Sequence, residues 1–235
     1  MKKELDLRSE PSLTEAAKRS KTPFKINYDA LIIPERLIAY CANKKYLIRT
    51  YGCQANVVDS ENIKGILAKA GYSETENLEE ADLIILNTCA IRENAEDKVF
   101  GEIGALKRLK KANNDLIIAI GGCMMQEPTI VKKIEKIYPQ VDLVFGTHNI
   151  PSLLTLLDEV IFEKKRVIEV YSKEGEVFEN LPIVRSSKIK ASVNIQYGCD
   201  KFCTYCIVPY TRGKQRSRKK EDIINALKET NANIN

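Results

Sequence analysis

The chain has 235 residues, a net charge of +5, 44% hydrophobic residues, seven cysteines and a single histidine. That length allows one large domain or two modest ones around a real core, and the mild basicity permits a nucleic-acid partner without demanding one. No apolar run approaches a bilayer span, and the opening Met1-Lys2-Lys3-Glu4-Leu5-Asp6 lacks the apolar core of a signal peptide, so a soluble cytoplasmic protein with no membrane partner is expected. An odd cysteine count fits a reducing compartment with thiols kept for metal, and a lone His148 excludes histidine-rich zinc sites and histidine triads.

Residues 1–44 are polar and charged, with Ser9-Glu10-Pro11-Ser12 and a short apolar patch at Ala30–Ile33. They read as a flexible leader or docking arm. Over residues 45–162 strands and helices alternate. Tyr46–Thr50 reads as a strand ending at Tyr51-Gly52-Cys53, followed by a helix with Ile63, Ile66, Leu67 and Ala70 on one face and Gly71 as its terminator. The run Leu83-Ile84-Ile85-Leu86 suits a central parallel strand and ends at Asn87-Thr88-Cys89. A helix then turns Val99, Ile103, Leu106 and Leu109 inward. Leu116–Ile120 is a third strand, ending at Gly121-Gly122-Cys123. Pro128 opens a helix with Ile130, Val131, Ile134 and Ile137 on one side. A fourth strand, Leu143–Phe145, precedes a helix over Ile150–Val160. The fold class is α/β with an open parallel sheet built from right-handed βαβ units. Cys53, Cys89 and Cys123 each stand just past the carboxyl end of a separate strand, the edge where open α/β sheets take ligands.

Residues 163–189 read as a connector, with a short strand at Arg166–Val170 and a polar turn around Lys173-Glu174-Gly175-Glu176. A second unit occupies residues 190–235. Ala191, Val193, Ile195 and Tyr197 alternate with polar neighbours, as in a strand, and lead into Gly198-Cys-Asp-Lys-Phe-Cys-Thr-Tyr-Cys206. A final helix, capped by Ser217, places Ile223, Ile224 and Leu227 inward. The spacing C-x3-C-x2-C at Cys199, Cys203 and Cys206 is the most informative feature. Three thiolates hold a [4Fe–4S] cluster by three of its irons and leave the fourth open to chelate another molecule, whereas structural zinc wants four ligands. The basic run Arg212, Lys214, Arg216 and Arg218 beside this loop is either a solvated helix start or a guide for phosphates. Asn56, Asn87 and Asn94 flank the cysteine loops as turn formers that could also hydrogen-bond cluster sulfurs; His148 reads as a loop residue, and Cys41 has no assigned role.

The stretch Asn194–Arg218, with Tyr205 before the last cysteine, resembles the radical S-adenosylmethionine (SAM) signature of the tRNA methylthiotransferases. Tyr51-Gly-Cys-Gln-Ala-Asn56, Asn87-Thr-Cys-Ala90 and Gly121-Gly-Cys-Met124 resemble that family's amino-terminal domain, and Gly146-Thr-His-Asn149 favours the branch acting on isopentenyl-adenosine beside the anticodon. The similarity covers residues 45–229. The resemblance implies two [4Fe–4S] clusters: one on Cys199, Cys203 and Cys206 that chelates SAM and generates a 5′-deoxyadenosyl radical, and an auxiliary one on Cys53, Cys89 and Cys123 that carries the inserted sulfur. It further implies a tRNA substrate, an electron donor and a sulfur source that the sequence does not name. The family's radical-SAM domain is a partial (β/α) barrel, of which this chain carries only the first strand, the cluster loop and one helix. The tail Thr230–Asn235 does not continue the pattern. The expectation is therefore an amino-terminal portion, truncated and unable to turn over alone. A methylthiotransferase of the threonylcarbamoyl-adenosine branch, a non-catalytic iron–sulfur or RNA-binding fragment, and a zinc-binding nucleic-acid module are the alternatives.

Overall fold

Short apolar runs bounded by turns set the framework. The computed structural model describes residues 18, 21, 23–29, 31–90, 93–171 and 176–232. The elements begin with β1 (Lys25–Asn27), α1 (Glu35–Cys41), β2 (Lys45–Thr50), α2 (Gln54–Ala70), β3 (Ser73–Glu74) and β4 (Leu83–Thr88). They continue with α3 (Glu93–Ala112), β5 (Ile117–Gly122), α4 (Pro128–Ile137), β6 (Leu143–Phe145), α5 (Leu153–Phe162), β7 (Val167–Glu169) and β8 (Glu176–Phe178). The second unit contributes β9 (Gln196–Tyr197), α6 (Val208–Thr211), β10 (Arg216–Ser217) and α7 (Lys220–Ala232).

Six strands form one parallel sheet in the order β3-β2-β4-β5-β6-β7. β4 and β5 are buried along their whole length and pair from Leu83↔Ile117 to Thr88↔Gly122. Because successive strand residues point to opposite faces, Leu83 and Ile85 join one core with Leu37, Ile63, Leu67 and Leu157 from α1, α2 and α5. Ile84 and Leu86 join the other, with Val99, Ile103 and Ile134 from α3 and α4. The continuous apolar runs are thus explained by helices on both faces. α2 stops at Gly71, whose φ of 102° lets its N–H reach back to the carbonyls of Leu67 and Ala68.

Several expectations are corrected. Ile137, one heptad on from the half-buried Ile130, lies at the last residue of α4 and is 60% exposed. The helix foreseen over Ile150–Val160 is split: a 3-10 turn at Thr147–Ser152 contains Pro151, and α5 begins only at Leu153. The connector's strand joins the sheet as its edge, with Val167–Glu169 beside Leu143–Phe145. Lys173, Glu174 and Gly175 lie outside the described residues, and Glu176 opens β8. The described part of the leader from Pro23 onward is docked rather than a free arm: β1 pairs in parallel with β8, and Leu37 and Cys41 of α1 are fully buried. Ser9-Glu10-Pro11-Ser12 and Ala30 lie outside the described residues.

In the second unit the expected strand is only two residues long, β9, and it pairs antiparallel with β10. Ser217 sits in β10, so it is not the cap of α7; Glu221 and Asp222 supply the acidic first turn that suits a helix amino terminus. Ile224 and Leu227 are 38% and 48% exposed rather than inward, since no layer of the described chain covers that face. Among the described residues no helix is long and apolar enough to cross a membrane.

Candidate metal centre

The carboxyl ends of β2, β4 and β5, three adjacent strands, deliver Cys53, Cys89 and Cys123 to one rim of the sheet. Two glycines allow the loops to touch. At Gly52 (φ 131°) a Cβ would fall 2.4 Å from Cys89 Cβ, and at Gly122 (φ 101°) one would fall 2.2 Å from the Thr88 carbonyl oxygen. A buried amide network locks the rim beneath the thiols. Asn56 Nδ2 donates to the Thr88 carbonyl at 2.9 Å and to Asn87 Oδ1 at 3.2 Å. Asn87 Nδ2 donates to the Asn56 carbonyl and to Ser60 Oγ, both at 2.8 Å. Cys53 Sγ donates to Asn56 Oδ1 at 3.4 Å, so Asn56 and Asn87 shape the turns as the sequence suggested and one also meets a thiol. Asn94 falls in α3 with its side chain outside the described residues.

Cys199, Cys203 and Cys206 lie between β9 and β10, which close the loop at its base. The Cys199 amide donates to the Gly213 carbonyl at 3.0 Å and the Cys206 amide to the Cys203 carbonyl at 2.9 Å. Gly198 (φ 66°) passes so close to Lys214 that an added Cβ would stand 2.1 Å from its carbonyl oxygen. Cys203 is exposed; Cys199 and Cys206 are half-buried. The two sets meet across a cavity of about 300 Å³ whose walls include Cys53, Cys123, Cys199, Tyr197, Thr211 and Arg212.

All six thiols are free. Among the described residues no three Cys, His, Asp or Glu side chains stand close enough to grip a single metal ion. A cubane cluster makes a different demand, because each thiolate binds a separate iron. Cys53 and Cys123 of the rim open with Cys199 of the loop onto one shared cavity, so the donors it offers are the thiols that such a cluster takes. Burial pushes the Cys123 thiol up to about 11; the Arg212 guanidinium works against this, while Asp59 and Cys89 add to it.

The family described as "Uncharacterized protein family UPF0004" matches residues 45–146. The tRNA-2-methylthio-N(6)-dimethylallyladenosine synthase of Bacillus cereus (strain ATCC 10987 / NRS 248) is 56% identical over 223 residues, which is 95% of this chain and 44% of that protein. Proteins of the same name from Bacillus licheniformis and Geobacillus kaustophilus (strain HTA426) are each 58% identical over 93% of the chain, covering 43% and 41% of their own lengths. The chain belongs to the tRNA methylthiotransferase family. It spans less than half the length of the curated relatives it matches.

Within this chain the basic run is corrected: its charges turn inward. Arg212 pairs with Asp59 Oδ2 at 2.5 Å, Arg218 with Glu179 at 2.5 Å, and both partners of each pair are nearly buried. Lys214 Nζ donates to the Pro23 carbonyl at 3.0 Å, and Arg216 donates to the carbonyls of Arg212 and Glu176. Buried cations need such partners, and these four are neither a solvated helix start nor a phosphate-facing strip. Sequence reasoning missed the acids that meet them. Asp59 and Glu61 are buried in α2, where Glu61 receives Arg185 Nη1 at 2.9 Å and the Ser186 amide at 2.9 Å. The available signal was a run of polar residues, Asp59-Ser60-Glu61, inside a helix otherwise built for the core. His148 lies in the 3-10 turn after β6, and Cys41 packs in the core, where burial raises its thiol to about 11.

Proposed function

We propose that the chain is the cluster-bearing part of a radical-SAM tRNA methylthiotransferase that thiomethylates isopentenyl-adenosine beside the anticodon. The single observation that carries this reading is the shared cavity, onto which Cys53 and Cys123 of the rim and Cys199 of the loop all open. Cys199, Cys203 and Cys206 are assigned to the SAM-chelating [4Fe–4S] cluster, and Cys53, Cys89 and Cys123 to the auxiliary one. In this reading residues 190–235 are the start of a partial (β/α) barrel, and the β9–β10 ribbon with α7 is its first described part. The clusters supply one-electron chemistry and an exchangeable iron each when bound.

The chain's own residues hold and shield. Asn56 and Asn87 fix the rim loops, the Gly213 carbonyl fixes the Cys199 amide, and Tyr197 and Thr211 wall the cavity. The relatives' names favour a tRNA substrate of the dimethylallyladenosine branch. The test is anaerobic reconstitution with iron and SAM cleavage measured on one sample. About eight irons per chain with deoxyadenosine formed supports the assignment. About eight irons without cleavage supports the clusters and places the SAM cavity in a longer protein. A zinc-loaded, colourless chain overturns the reading.

A further inference from the structure

Arg212 reaches both halves of the site. It leaves the chain at the end of α6, six positions after Cys206 (by numbering in the sequence), yet its guanidinium is buried against Asp59 of the sheet domain. The same guanidinium favours the ionised form of the Cys123 thiol, and it walls the cavity that Cys53, Cys123 and Cys199 share. It also borders a second hollow of about 240 Å³ on the far side of Tyr197 and Gly198, so it stands in the partition between two cavities. A cation held there by one carboxylate at 2.5 Å, with a second contact at 3.5 Å, has little freedom to move away from the thiol.

We propose that Arg212, oriented by Asp59, is a positioning residue for the auxiliary cluster: it fixes the Cys123 ligand and sets how readily that cluster accepts an electron. The inference rests on the two-cluster reading above. Three thiolates outweigh the positive charge of a [4Fe–4S] core, and an added electron makes the assembly more negative still. A cation at one ligand sulfur, in a site of low dielectric, stabilises the reduced form. Asp59 opposes it with a smaller effect at Cys123. The pair therefore acts as an oriented dipole with its positive end at Cys123, and its two members pull the reduction equilibrium in opposite directions. A residue that only braced the fold would not produce effects of opposite sign.

The experiment uses the full 235-residue chain with Cys199, Cys203 and Cys206 changed to alanine, so that only the auxiliary site can load. After anaerobic reconstitution, iron is counted and the midpoint potential is followed by electron paramagnetic resonance during a mediated dithionite titration. In this background Arg212→Gln leaves Asp59 unopposed and lowers the reduction equilibrium at least tenfold, a shift of about 59 mV for one electron. Asp59→Asn leaves the cation unopposed and raises it. Arg212→Lys, which keeps the charge, stays within a few-fold of the parent. Shifts of the same sign in Arg212→Gln and Asp59→Asn, or no shift in either, overturn the proposal. Should Arg212→Gln fail to hold iron, Asp59→Asn and Arg212→Lys decide it by the same signs. A parent background that takes up no iron, instead of about four per chain, removes the auxiliary-cluster assignment itself, a failure distinct from a loaded cluster that does not respond.

Discussion

The rim and the loop present the same number of thiols on supports of different kinds. Cys53, Cys89 and Cys123 grow out of three adjacent strands whose centre is fully buried and whose turns are cross-braced by Asn56 and Asn87. Cys199, Cys203 and Cys206 hang from a two-residue ribbon, with Cys203 in solvent, and are anchored by backbone bonds and two nearly buried ion pairs, Arg212–Asp59 and Arg218–Glu179. A site built on a core inherits the rigidity of packing; a site built on a loop depends on a few polar ties. The difference teaches that the rim is pre-shaped by the sheet, while the loop takes its shape from its contacts with the residues before the sheet and with the sheet domain.

The sharpest way to break the comparison is to cut a tie of the loop. Glu179→Ala leaves Arg218 buried without its carboxylate, and a loss of about 3–5 kcal/mol is expected in urea unfolding. The corresponding cut at the rim is Ile85→Ala beneath Cys89, expected to lose about 2–5 kcal/mol through a cavity in the sheet core. A far smaller effect there would mean that the sheet does not carry the rim. Next comes Asn87→Ala, which strips the Asn56 carbonyl and Ser60 of a donor. It should cost about 1–3 kcal/mol and weaken iron retention at the rim more than at the loop. The mildest probe changes no residue. Hydrogen exchange of the apo chain should show amides of Leu83–Thr88 protected to near the global stability, and those of Cys199–Cys206 exchanging by local opening. Equal protection of the two segments would erase the distinction.

The sheet was legible because its two central strands contain the apolar runs Leu83–Leu86 and Leu116–Ile120, of four and five residues, and such runs have few other places to go. The convergence of Cys53, Cys89 and Cys123 followed from topology alone, since each ends a parallel strand. What escaped has a common cause. A buried, paired arginine is spelled like a solvated one, so Arg212 and Arg218 could not be told apart from surface charge without Asp59 and Glu179, which stand 153 and 39 positions away. The pairing of β1 with β8 was equally hidden, because short polar strands carry no periodicity to read. Ile224 and Leu227 misled in the opposite sense: helical spacing shows that a face is apolar, not that something covers it.

The union of β1 with β8 has a consequence for synthesis. Lys25 meets Glu176, so the first strand waits until roughly 150 further residues have been translated. At about 5–20 residues per second, that is roughly eight to thirty seconds on the ribosome with β1 unpaired. During that interval the sheet can close without it, and Lys214, which binds the Pro23 carbonyl, arrives later still. β1 is therefore made well before its partner and finds its place late, and the cysteine loop behind Lys214 is clasped only when Lys214 and Pro23 have met.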